Sequence, residues 1–348
     1  RDTPYTNLGL IYSELGDYDQ ALAAYQNALK FNSETGNRYA NLVGGYVQLN
    51  RLDDAKATAR MAENHGIDYP EIHLNLYWVA FLQHDVVAME REAAGMMSKP
   101  GHRDQMLNYE ADTAVYGGQV VKARELTRRA VEAAQEADEK EAPALYWADA
   151  AVREALVGNA DVAKKQARAA IAISTAKDVE ALSAVALDLA GDSASAVRLL
   201  DDLGKRFPHD TIVQTNYLPA IHAAALLWTH DYARATEALE AAAPHELGGN
   251  IENSNFVLYP IYLRGKAFLG ANKGAAAAAE FQKILDHPGV TRSEPIGALA
   301  RLELGRALAL TGDQARAKAA YVEFFTLWKD ADPDVPVLKR AREEYSRL

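Results

Sequence analysis

Three asparagines, Asn7, Asn41 and Asn75, stand 34 residues apart, each one residue before a leucine (Leu8, Leu42, Leu76). A carboxamide carries donors and an acceptor, so it can meet the C=O and N–H of one peptide unit. Repeated at a fixed interval, such groups suit an extended peptide backbone. The alternative is that each bonds the backbone of a neighbouring helix. The other polar residues offer less chemistry. The nine histidines are scattered, with no HExxH and no pair at metal-ligand spacing beside a carboxylate. Asp330, Asp332 and Asp334 open like a calcium loop. Val335 stands where that loop needs glycine and Ala341 where it closes with glutamate, so helix capping is the expected role. There is no GxSxG and no P-loop, and with no cysteine there is no disulfide, thiolate nucleophile or cysteine zinc site. No catalytic residue, metal or cofactor is expected of this segment.

Helices must position whatever the asparagines do. The chain has 348 residues, 49% of them hydrophobic, and alanine, the best helix former, is common. Laying the first segment over the second pairs Tyr5 with Tyr39, Leu8 with Leu42, Tyr12 with Tyr46 and Ala21 with Ala55, all at the 34-residue offset. Tyr5, Leu8 and Tyr12 share one face at helical spacing, and Gly9 and Ala21 are small where two helices would cross. Small or flexible residues just after a turn recur at Met89, Ala123, Ala163, Ala196, Ala235, Ala277 and Ala317. With Ala21 and Ala55 they predict nine helical hairpins, turning at Gly16, His84, Gly118, Gly158, Gly191, His230, Asn272 and Gly312 among other places. Residues 335–348 are amphipathic and read as a capping helix. No sustained period-two alternation predicts a strand.

The spacing of Tyr5, Leu8, Gly9, Tyr12, Gly16, Ala21, Tyr25 and Ala28 resembles the tetratricopeptide repeat. The resemblance implies an all-α fold: a right-handed α-solenoid of about nine hairpins with a C-terminal capping helix. Residues 1–137 read as four regular hairpins, 138–334 as five degenerate ones and 335–348 as the cap, in one continuous superhelix. It also implies that the asparagine position points into a concave groove. Asn7, Asn41 and Asn75 would then form a ladder on a bound peptide, with Leu10, Arg38, Gln48, Trp78 and Leu82 on the same face. Tyr109 and Asp149 end the ladder in the fourth and fifth units. The aromatics Tyr217, Trp228, Tyr232, Phe256, Tyr259, Tyr262 and Trp328 read as inter-helix core, and residues 244–255 as a long polar loop that is either mobile or closes over the groove. LYWADAAVREALVGNA, KRFPHDT, EFQKILDHPG and FFTLWKDADPD are similar to the C-terminal repeat region of some bacterial serine/threonine protein kinases. No kinase motif is present, so that resemblance implies a regulatory or scaffolding region and transfers no activity.

A net charge of -11 argues against a nucleic-acid partner. The longest apolar run, Ala220 to Trp228, is too short to span a bilayer. The expected partner is a protein or an extended peptide. A ligand-sensing domain of an attached kinase and a homo-oligomerising module stay open as rivals. The cytoplasm is the expected compartment, with the periplasm as the alternative if the parent is a membrane kinase. Starting at Arg1, the sequence reads as part of a longer protein.

Overall fold

The computed structural model describes residues 3–248, 256 and 258–348. Twenty α-helices and no strand occur among the described residues. The first hairpins are α1 (Thr3–Glu14) with α2 (Tyr18–Phe31), α3 (Gly36–Gln48) with α4 (Leu52–Asn64), and α5 (Pro70–Leu82) with α6 (Val86–Met97). Next come α7 (Arg103–Tyr116) with α8 (Val120–Glu136), α9 (Ala142–Val157) with α10 (Ala160–Ile173), and α11 (Lys177–Leu189) with α12 (Ser193–Arg206). The series ends with α13 (Leu218–Trp228) and α14 (Tyr232–Ala238), α15 (Tyr259–Gly270) and α16 (Gly274–Asp286), the short α17 (Pro288–Thr291), α18 (Pro295–Leu310) with α19 (Gln314–Leu327), and α20 (Pro336–Tyr345). A π-helical stretch, Val213–Tyr217, precedes α13, and a 3-10 stretch, Leu239–His245, follows α14. These are the nine expected hairpins and a C-terminal helix. Of the polar loop expected over 244–255, residues 249–255 lie outside the described residues.

Every hairpin turns through one left-handed residue: Gly16, Asn50, His84, Gly118, Gly158, Gly191, His230, Asn272 or Gly312. Glycine, asparagine and histidine are types that reach positive φ at least cost. The aspartate after the turn then caps the second helix. Asp17, Asp85, Asp192, Asp231 and Asp313 each accept a bond from the backbone N–H three residues on. Ala21, Ala55, Ala163, Ala196, Ala235, Ala277 and Ala317 are fully buried where the two helices cross. Sixteen residues before an aromatic of the second helix, the first helix carries glycine. A Cβ on Gly9 would lie 2.3 Å from the Tyr25 ring, on Gly265 2.7 Å from Phe281, and on Gly305 2.8 Å from Tyr321. Each such buried ring contributes about 1.5–3 kcal/mol of transfer energy.

The chain divides into two compact units. Unit 1 comprises Arg1–Met106, Leu247–Val257 and His287–Ser293; unit 2 comprises Leu107–Glu246, Leu258–Asp286 and Glu294–Leu348. The division falls inside α7. A buried polar network holds the fourth hairpin to the fifth. Arg153 of α9 donates to Asp112 (2.6 Å) and Asn108 (3.0 Å) of α7 and to Thr127 of α8 (3.1 Å), while Asn108 donates to Asp149 of α9 (2.7 Å).

In unit 2 the last elements meet the first. Trp328 Nε1 donates to the Tyr116 carbonyl (2.9 Å), and Asp332 accepts from Val121 N–H (2.8 Å) while its own N–H reaches the Gly118 carbonyl (3.1 Å). Helix α20 buries Val337, Leu338 and Ala341, and its Glu344 bonds Arg306 of α18 (2.8 Å) and Tyr321 of α19 (2.9 Å). The expected cap thus covers the last hairpin, and Pro336 also sits against Gly158, the turn between α9 and α10. Trp228 departs from the core expectation: it is exposed, with its ring against Gly191. No helix among the described residues is long and apolar enough to cross a membrane.

Candidate functional site

In unit 1 the first helices α1, α3 and α5 carry the residues expected to form the groove. Glycine shapes this face. Gly44 leaves room for the Asn75 carboxamide, which a Cβ would approach to 3.2 Å, and Gly45 leaves room for Tyr25. Asn75 is buried, and its amide nitrogen donates to the Ala40 carbonyl of α3 (3.1 Å) and the Glu71 carbonyl of its own helix (2.8 Å). That corrects the ladder expectation for Asn75: it bonds neighbouring helix backbone, because Gly44 lets α5 approach α3 closely. Asn41 is half-buried and Asn7 is exposed.

Three other expected groove residues also make structural contacts. Leu10 packs on the cluster of Ala21, Leu22, Tyr25 and Leu42 inside the first hairpins. Arg38 holds the α2–α3 connection, donating to Thr35 Oγ1 (2.6 Å) and the Asn32 carbonyl (3.2 Å). Gln48 ties α3 to α1 through Ser13 (2.9 Å), and Leu82 is half-buried one repeat further on.

The same face carries two stretches of the chain itself. Tyr18 donates its hydroxyl to the Leu247 carbonyl, and Gly248 lies so close to α1 that a Cβ would be 2.1 Å from the Glu14 carbonyl oxygen. Helix α17 lies on α3 and α5. There a Cβ on Gly289 would be 1.8 Å from the Val47 carbonyl oxygen. Three residues later the Arg292 guanidinium stacks on the Trp78 ring, 3.9 Å from its centroid. Burial raises the Tyr18 hydroxyl pKa, while the nearby Arg292 charge opposes it. Nothing in the sequence signalled Arg292 as a contact of this face.

Behind this face, α4, α5 and α6 enclose a cleft of about 760 Å³ with an apolar floor of Ile72, Leu76 and Val79 and cations Lys56, Arg60 and Arg91 on its walls. His73 stands in it between Glu92 (2.8 Å) and Asp68 (2.8 Å), in space kept open by Gly95. The Glu92 bond raises the His73 pKa against the effect of burial. Burial works against the Glu92 charge, but bonds from His73 and Arg91 hold its carboxyl below the usual range. The bond from Lys99 does the same for Asp68. No group of three or more side chains placed to hold a metal occurs among the described residues.

Residues 4–34 match the tetratricopeptide repeat family, so the first hairpin carries the signature. No curated protein matches the chain. Among solved structures the chain is similar to yeast Tom70, at 12% identity and a TM-score of 0.37, over 99% of this chain and 95% of that one. It is also similar to the P58(IPK) TPR domain, at 14% identity and a TM-score of 0.31, over 99% and 97%. A third likeness, at 15% identity and a TM-score of 0.27, is to Naa15/Naa10 bound to HypK-THB, over 99% of this chain and 56% of that one.

Proposed function

We propose that this chain is a protein-interaction scaffold whose unit 1 binds a peptide along the C-terminal ends of α1, α3 and α5. One observation carries the reading: separate stretches of chain already rest on two successive first helices at nearly equivalent places. Gly248 sits on the Glu14 carbonyl and Gly289 on the Val47 carbonyl, with Gln48 the repeat-equivalent of Glu14. A surface that receives separate segments of chain twice, one repeat apart, has the character of a peptide track. The tetratricopeptide match over residues 4–34 supports a scaffold role. The asparagine ladder enters this proposal only through Asn7 and Asn41.

Peptides selected from a random display library against the whole chain test the reading. Hydrogen exchange should then show protection at the ends of α1, α3 and α5, and Gln48→Arg should weaken binding about 10-fold or more, equivalent to ~1.4 kcal/mol. Protection confined to the cleft around His73 would sink the reading. It would support a second one, a ligand-sensing domain, which that cleft of about 760 Å³ favours. The proposal extends to a cytoplasmic regulatory region of a larger signalling protein. Its support is the similarity of residues 145–160, 205–211, 280–289 and 324–334 to kinase-associated repeat regions, and the full-length gene product would decide it.

A further inference from the structure

We infer that the α3/α5 face of unit 1 recognises a peptide turn bearing glycine and, three residues later, arginine, and that Gly289–Arg292 occupies this place until such a partner displaces it. The inference rests on the proposed peptide-binding role of unit 1 and adds the ligand class and its control. Glycine is selected because the α-carbon of residue 289 abuts the Val47 carbonyl, where a Cβ would lie 1.8 Å from the oxygen. Arginine is selected because a planar guanidinium stacks on the buried indole of Trp78 at 3.9 Å. Lysine, a compact and strongly hydrated charge, loses that stacking.

The occupant is held imperfectly. Arg292 has φ 53 and ψ -131, a combination that a residue with a Cβ adopts only under strain. A partner that presents its arginine from relaxed backbone avoids that strain. It must still compete with a segment tethered at high effective concentration.

The probe is a labelled decapeptide of residues 286–295, DHPGVTRSEP, and the same peptide with alanine for arginine, titrated against the full chain. Gly289→Val should expel the internal segment, which increased hydrogen exchange over 288–293 will report. That variant should then bind the arginine peptide at least about 10-fold more tightly than the unaltered chain. Arg292→Ala, which leaves no clash, should give a smaller gain in the same direction. It decides the matter if Gly289→Val fails a circular-dichroism test of folding. An expelled segment with no gain in peptide affinity would overturn the competition. Equal binding of both peptides would overturn arginine recognition and leave the peptide track standing. An opened face that binds neither decapeptide nor any library-selected peptide would overturn the track itself.

Discussion

In unit 1 the imidazole of His73 meets Asp68 and Glu92 at the wall of an open cleft, with a quarter of its side chain in water. In unit 2 Arg153, Asp112 and Asp149 meet inside the packing, each no more than 6% exposed. Both units use the same hairpin, so the contrast arises from spacing. The left-handed turn residues Gly16, Asn50, His84 and Gly118 recur every 34 residues. The next step, to Gly158, is 40 residues, made by the longer helices α8 and α9. Those helices bring inward-facing polar side chains from three helices within bonding reach. In unit 1 the buried Glu92 thus pairs with His73, which reaches water and is shared with Asp68, whereas at the junction with the longer helices Arg153, Asp112 and Asp149 must satisfy one another inside the packing.

The largest test of this contrast is Arg153→Met. It leaves Asp112 and Asp149 buried without their cation, and should cost about 3–5 kcal/mol. Hydrogen exchange should rise across α7 to α9 while α1 to α4 stay protected; uniform loosening would mean that the network does not belong to unit 2 alone. Next is Ala21→Leu, which overpacks the first crossing and should cost about 1–3 kcal/mol. Contacts between repeats are nearest-neighbour, so the loss should show in α1 to α3 and leave Ala317 protected.

The units should also differ in their response to pH. Burial pushes the Asp149 carboxyl up to about 7 despite the opposing charge of Arg153, and burial does the same for Asp188. In the unfolded chain these groups lose their protons near pH 4, while the folded chain keeps them to about 7. Unit 2 should therefore lose stability as pH rises from about 4 to 7, by at most ~1.4 kcal/mol per pH unit for each group. Asp149→Asn should flatten part of that slope. In unit 1, Asp68 and Glu92 titrate below their usual values and His73 above its own, so its stability should hold level from about pH 5 to about 6.5. It should fall on acidification from about pH 4.5 downward, and as pH rises from about 6.5 through the elevated His73 value. Urea melts at several pH values, followed by exchange in each unit, will check the opposite behaviours. The smallest effect should be common to both: Asp85→Ala and Asp192→Ala each remove a helix cap and should cost about 1 kcal/mol alike.

The hairpins were legible in the sequence because their signals are local. A left-handed turn needs a residue such as Gly16 or Asn272, and a close crossing one such as Ala21 or Ala163, wherever the hairpin sits. The groove was less legible, since sequence periodicity places a residue on a face without saying what covers that face. Asn75 stood in register with Asn7 and Asn41, yet Gly44 brought it within reach of the Ala40 carbonyl and buried it. Gly289 lies 242 positions beyond Val47, and Arg292 lies 214 beyond Trp78. No repeat period links such pairs. The Arg153 network was hidden for a related reason: its partners come from three helices, and charged residues on a helix read first as a solvated face.

The meeting of Trp328, Asp332 and Pro336 with the turns at Gly118 and Gly158 bears on how this protein can change over evolution. An open array of hairpins can gain or lose a copy by duplication or deletion, because a new copy needs only a neighbour to stack on. Unit 2 has no such freedom. Adding one hairpin would carry Asp332 away from the Val121 N–H and Trp328 away from the Tyr116 carbonyl, and removing one would leave the same contacts short. Its repeat number is fixed by closure, so its sequence can drift far from the repeat signature while the count of hairpins stays constant.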